Sequence, residues 1–181
     1  MTDKDFLLND GSQIAIIGGG PSGSFFFFFA SRIARERGIH VNIMIFEGKD
    51  FCQKGPRGCN LCSGVISEKL YDGLKDQNLC IPDRCIESVI EGYSLQTQDG
   101  HIEIHHPKPL PGKKIVTVYR GNGPMYSDQP ENISFDRFLL KHAESLGVKV
   151  CEEVVKEVVL PSNSKERVKI IFGKEGLNKE L

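Results

Sequence analysis

The stretch QIAIIGGGPSG, residues 13–23, decides how this sequence is read. An almost wholly apolar run, QIAII, leads straight into a turn made of glycines, a proline and a serine. A run of that kind predicts a short strand buried on both faces of a parallel sheet. Gly18, Gly20 and Gly23 satisfy G-x-G-x-x-G, a weak pattern when it stands alone. Here a strand precedes it, and residues 22–37 read as a helix closed by Gly38. Residues 41–46 (VNIMIF) follow as a second apolar run that ends at Glu47. Strand, glycine turn, helix, strand and acid in this order predict a right-handed β-α-β unit that binds a dinucleotide.

Each residue type has a physical reason. Gly18 permits the tight turn from strand to helix, Gly20 lets the backbone approach a pyrophosphate, and Gly23 lets the helix pack closely on the sheet. The N–H groups around Ser22 and Gly23, at the helix start, face the diphosphate. Glu47 accepts hydrogen bonds from the adenosine ribose hydroxyls. A plain structural turn beside a surface glutamate is the competing reading, and the order of elements around the motif weighs against it.

Working outward, residues 25–29 are five consecutive phenylalanines in that helix. At about 100° per residue they point all round the axis, so one face buries against the sheet and the rest needs cover. That cover is expected from parts of the fold beyond residue 181. Residues 49–64 turn to Gly, Cys, Pro and charge and read as an ordered loop. A short helix is expected over 67–76, then strands over 87–98, 101–106 and 113–120, with Asp99-Gly100 as a hairpin turn. Residues 134–146 form the clearest amphipathic helix, with Phe135, Phe138, Leu139, Ala143 and Leu146 on one face, Ser134 as N-cap and Gly147 as its stop. A strand starts at 148–150, and 154–160 with 167–172 reads as a β-hairpin. After Phe172 no strand is expected to extend the sheet, and three parallel strands are few for a doubly wound fold, so the sequence reads as truncated.

Composition narrows the function classes. The chain has 181 residues, 39% hydrophobic and 26% charged, as in ordinary globular proteins. Its net charge of -1 offers no basic excess for a nucleic-acid backbone. The N-terminal residues carry acids and a lysine without the apolar core and cleavage site of an export signal. Residues 14–30 lack charge, yet glycines and Pro21 interrupt them and they are short for a membrane span. Six cysteines without an export signal point to reduced thiols and a cytoplasmic setting.

Taken together, the phosphate loop, Glu47 and the segment GPRGCNLCSGVIS (residues 55–67) resemble the geranylgeranyl reductase family. That family belongs to a wider group of flavoproteins that includes the aromatic hydroxylases. YRGNGP (residues 119–124) and SFDRFLL (residues 134–140) fit the same family. The resemblance covers essentially the whole chain but only about the first half of a typical member. It implies an α/β fold, a partial, truncated Rossmann-like FAD-binding domain over residues 1–181 with an inserted β-rich element at about 67–120. It implies FAD as cofactor, with Gly18, Gly20, Ser22 and Gly23 at the diphosphate and Glu47 at the ribose. Cys62, Ser63 and Gly64 match a segment beside the flavin ring and the substrate cavity, which makes Cys62 the candidate catalytic residue. Arg120 is similar to an arginine that reaches the cofactor from the far side, although its spacing to Phe135-Asp136 is longer than in most relatives. The family's late Gly-Asp flavin motif is absent.

What the resemblance implies for an intact protein is reduction of isolated carbon–carbon double bonds in a small apolar substrate of the prenyl-lipid kind. NAD(P)H or a ferredoxin-type protein would supply electrons, and peripheral contact with a membrane suits such a substrate. The rival readings are an FAD-dependent monooxygenase and a non-catalytic fragment that only binds nucleotide. A simple NAD-dependent dehydrogenase fits less well, because the Cys/Gly loop after Glu47 replaces the next β-α unit.

The remaining cysteines and histidines have bland alternatives. Cys59 and Cys62 form C-x-x-C, followed by Cys80 and Cys85, and a four-cysteine zinc site is one reading. The loose second spacing around a proline turn argues against it, and no metal is expected. His105 and His106 are neighbours on a predicted strand and point to opposite faces, so with His101 they read as ordinary surface or half-buried histidines.

Overall fold

A computed structural model describes residues 7–51, 64–105, 114–120, 134–163, 166–173 and 179–180. The chain divides into two units, Met1–Lys49 with Phe138–Leu181, and Asp50–Arg137.

The first unit is built on three parallel strands in the order β1 (Ser12–Ile17), β2 (Val41–Phe46) and β8 (Lys149–Cys151). Between β1 and β2 runs α1 (Pro21–Glu36), which ends where Gly38 takes a φ of +65°, a left-handed conformation that suits glycine. The body of α3 (Phe135–Ser145) precedes β8. Both crossovers advance the same way along the sheet, and right-handed crossovers then place both helices on one face. The edge-to-face contact of Phe28 with His142, 5.4 Å between centroids, agrees with that placement.

Ile16 and its register partner Ile45 point to the helices and are buried. Phe46, next along β2, therefore points to the other face. There it meets Phe172 edge-on at 5.0 Å, in a cluster with Ile170, Met44, Cys151 and Val155. Phe172 comes from a hairpin of β9 (Val155–Val159) and β10 (Lys169–Phe172). A two-residue strand, β11 (Lys179–Glu180), follows Phe172; it pairs with β10 and extends the hairpin sheet, not the parallel one.

Nor is β1 covered on both faces. Ala15 and Ile17, which share the Phe46 side, are exposed, because the hairpin packs over β2 and β8 and leaves β1 bare. The apolar run alone could not distinguish these two situations.

The second unit is mostly antiparallel. Ser67 caps α2 (Glu68–Asp76) by accepting the Leu70 N–H at 3.3 Å. A three-stranded sheet has β7 (Ile115–Val118) between β3 (Val65–Ile66) and β4 (Ile86–Ile90). The strand expected over 87–98 is two strands, β4 and β5 (Gly92–Thr97), parted at Glu91. β5 pairs with β6 (Gly100–His105) in a separate ribbon. Its turn is Gln98-Asp99 and not Asp99-Gly100, since Gly100 already pairs with Thr97.

Candidate anion loop and its acidic partner

The turn between β1 and α1 gathers several of the residues singled out in the sequence. Gly18 has a φ of +102°, open to glycine and costly for other residues. Its N–H donates to the Phe46 carbonyl at 2.8 Å, which ties the loop to the end of β2. A Cβ on Gly23 would collide with the Gly18 carbonyl oxygen and lie 3.1 Å from Ile16 Cγ2. Helix, turn and strand can therefore approach this closely only with glycine at position 23.

Glu47 reaches into the same turn. Its Oε2 accepts the Gly19 N–H at 2.7 Å and its Oε1 accepts the Lys49 N–H at 2.8 Å. The Glu47 N–H donates to the Cys151 carbonyl at 2.9 Å, so the third strand anchors the acid's backbone. The acid is thus hydrogen-bonded to the glycine loop and not merely near it.

Gly19, to which the sequence motif assigns no role, proves tightly enclosed. A Cβ there would sit 2.9 Å from Glu47 Cβ and 3.0 Å from Leu140 Cδ1 on α3. The only sequence sign of this was the unbroken run of three glycines at 18–20.

The start of α1 is electrostatically bare. Gly20 is its N-cap and offers no side chain, Pro21 follows, and the first turn holds no acid. The other two α-helices among the described residues differ. α2 has Ser67 and Glu68, while α3 has Asp136 in its first turn and Ser134 Oγ accepting the Arg137 N–H at 3.2 Å. A helix start carries partial positive charge and N–H groups without acceptors inside the helix, here at Ser22 and Gly23. With no side-chain cap and no acid in its first turn, α1 presents that field to an anion.

Of the other site residues named from the sequence, Gly64 and Arg120 lie in the second unit. Cys62 and Ser63 fall outside the described residues, as do Cys59 and His106. Gly64 has a φ of +69° and its carbonyl accepts the Val118 N–H at 2.9 Å. Arg120 makes a two-point ion pair with fully buried Asp136, Nε to Oδ2 and Nη2 to Oδ1, both at 2.7 Å. In the sequence, Asp136 stands out only for its spacing from Arg120.

Cys80 is exposed, whereas Cys85 is buried and its thiol is pushed up to about 11, chiefly by burial, with Arg84 pulling weakly the other way. His101, Glu103 and His105 line one face of β6, with His105 Nε2 3.4 Å from Glu103, all well exposed. Among the described residues, no three His, Cys, Asp or Glu side chains gather as a metal site. No helix among them is long and apolar enough to cross a membrane.

No protein-family model matches the sequence, and no curated protein matches it. Solved structures do match the fold. The flavin-dependent brominase Bmp2 superposes with a TM-score of 0.59 at 16% identity, over 95% of this chain and 36% of that one. A triple mutant of the same brominase gives 0.59 at 15% identity, over 92% and 36%. The p-nitrophenol 4-monooxygenase PnpA from Pseudomonas putida DLL-E4 gives 0.55 at 11% identity, over 96% and 39%. The chain shares their fold. It spans less than two fifths of the length of each of them.

Proposed function

We propose that this chain is the ADP-binding part of an FAD-dependent oxidoreductase. The observation that carries the reading is the anion loop itself. A glycine turn opens a helix start that has no acid, and the Glu47 carboxylate of the next strand is bonded into that turn. The residues present suit the ADP half of FAD. Ser22 and Gly23 offer helix-start N–H groups to the diphosphate, Gly20 leaves room for it, and Glu47 supplies oxygens for the ribose hydroxyls. The likeness in fold to a flavin-dependent brominase supports FAD over a nicotinamide dinucleotide in this site.

A bound flavin supplies two-electron chemistry, and the protein's part is to bind, orient and exclude competing reactions. The resemblance to geranylgeranyl reductases favours reduction of a carbon–carbon double bond in an apolar, prenyl-lipid-like substrate. In that reading Cys62, Ser63 and Gly64 line the flavin side and Arg120 approaches from the far side, with NAD(P)H or a ferredoxin-type protein as donor in a reducing cytoplasm. The second reading is a monooxygenase, favoured by the likeness in fold to PnpA.

The test starts with FAD titration of the purified chain, followed by flavin absorbance and fluorescence. Binding that is lost in Gly20→Val supports the loop assignment, because a side chain at that position invades the diphosphate space. Undiminished flavin occupancy in Gly20→Val overturns it. For protein that holds flavin, anaerobic reduction of a prenyl lipid supports the reductase reading, and oxygen-dependent hydroxylation of an aromatic supports the monooxygenase.

A further inference from the structure

Ser24 stands just beyond the last motif glycine, and its side chain is fully buried in the first turn of α1. Its Oγ donates to the Gly19 carbonyl at 3.1 Å, and its N–H donates to the Gly20 carbonyl at 3.0 Å. The Gly18 carbonyl points the same way, since it is the atom that a Cβ on Gly23 would strike. All three loop carbonyls thus turn toward the helix start.

A trans peptide is planar, and its N–H points opposite to the carbonyl of the preceding residue. With the Gly18 carbonyl turned to Gly23, the Gly19 N–H is sent the other way, to Glu47 Oε2. By the same rule, a Gly19 carbonyl held by Ser24 sends the Gly20 N–H away from the helix. That side is where the reading above places the diphosphate. A loop free to flip this peptide would instead show the anion a carbonyl oxygen, which repels it.

We propose that Ser24 is a positioning residue of the anion loop: by fixing the Gly19 carbonyl it keeps the Gly20 N–H aimed at the diphosphate. The inference rests on the dinucleotide reading and adds to it a residue outside the glycine motif.

The experiment is calorimetric titration of the 181-residue chain with ADP and with adenosine, well below the melting temperature. Ser24→Ala should weaken ADP about tenfold and leave adenosine unchanged, because the contact at stake is a charge-assisted hydrogen bond to phosphate. Ser134→Ala, which removes a comparably buried serine from the start of α3, should lower the melting temperature and leave ADP affinity alone. Where Ser24→Ala does not fold, Ser24→Cys keeps the volume with a weaker donor and should fall between wild type and a tenfold loss. Wild-type ADP affinity in a folded Ser24 variant overturns the proposal, as does an equal loss for ADP and adenosine. A wild-type chain that takes up no ADP overturns the dinucleotide reading, and this inference falls with it.

Discussion

The guanidinium of Arg120 grips the carboxylate of Asp136 at two points, each at 2.7 Å, and the Asp136 side chain has no exposed surface. Such a pair differs from the surface pairs of this chain, such as Arg32 with Glu36, where both partners are solvated. Removing the guanidinium takes this counter-charge from a carboxylate held away from water. Arg120→Met should therefore cost on the order of 3 kcal/mol in urea unfolding. Arg32→Met should cost less than about 1 kcal/mol. Similar small losses in both variants would show that solvent reaches Asp136 after all.

The glycines of the turn should fail for different reasons. Around Gly18 a Cβ meets open space, so Gly18→Ala carries only the strain of φ +102°, about 1 to 2 kcal/mol. Gly23→Ala drives a methyl group into the Gly18 carbonyl and Ile16, which the turn can relieve only by opening. Its melting temperature should fall further than that of Gly18→Ala, and circular dichroism with thermal melts checks the order.

The five phenylalanines of α1 are not equivalent. Phe27 is buried at 5% exposure, while Phe26 and Phe29 remain about half exposed. Phe27→Ala should cost about 3 kcal/mol or more, the usual range for an emptied aromatic site. Phe26→Ser combined with Phe29→Ser should leave the melt nearly unchanged and reduce self-association, since an exposed apolar stripe promotes it. Light scattering at rising concentration measures the second effect. Equal destabilisation in both variants would mean that the stripe is buried in solution.

Cys85 gives a pH signature whose sign follows from burial. Its thiol titrates at about 11 in the fold against an ordinary 9.0, so the folded state holds its proton after the unfolded chain has lost it. The resulting stability is fully present below pH 9.0 and is lost as pH rises through about 11. Compared with Cys85→Ala, the wild type should lose up to roughly 2 kcal/mol more across that window. A thiol reagent at neutral pH should label Cys80 and spare Cys85 until the chain unfolds.

Local signals in the sequence determined the β-α-β order, the glycine turn and most helix ends. Strand 41–46, the cap at Ser134 and the stop at Gly38 are each set by residues within a few positions of one another, so no distant partner was needed to read them. Sequence could not decide which apolar faces find cover. Leu146, counted on the buried side of its helix, is exposed beyond the helix end, while Leu140, left off that side, is buried and closes on Gly19. Periodicity gives the direction of a side chain, whereas burial depends on what the tertiary fold brings to meet it. For the same reason the enclosure of Gly19, the hold of Ser24 on its carbonyl and the pairing of Arg120 with Asp136 appeared only in three dimensions. Each joins residues whose roles no local pattern specifies, and only packing fixes the distances between them.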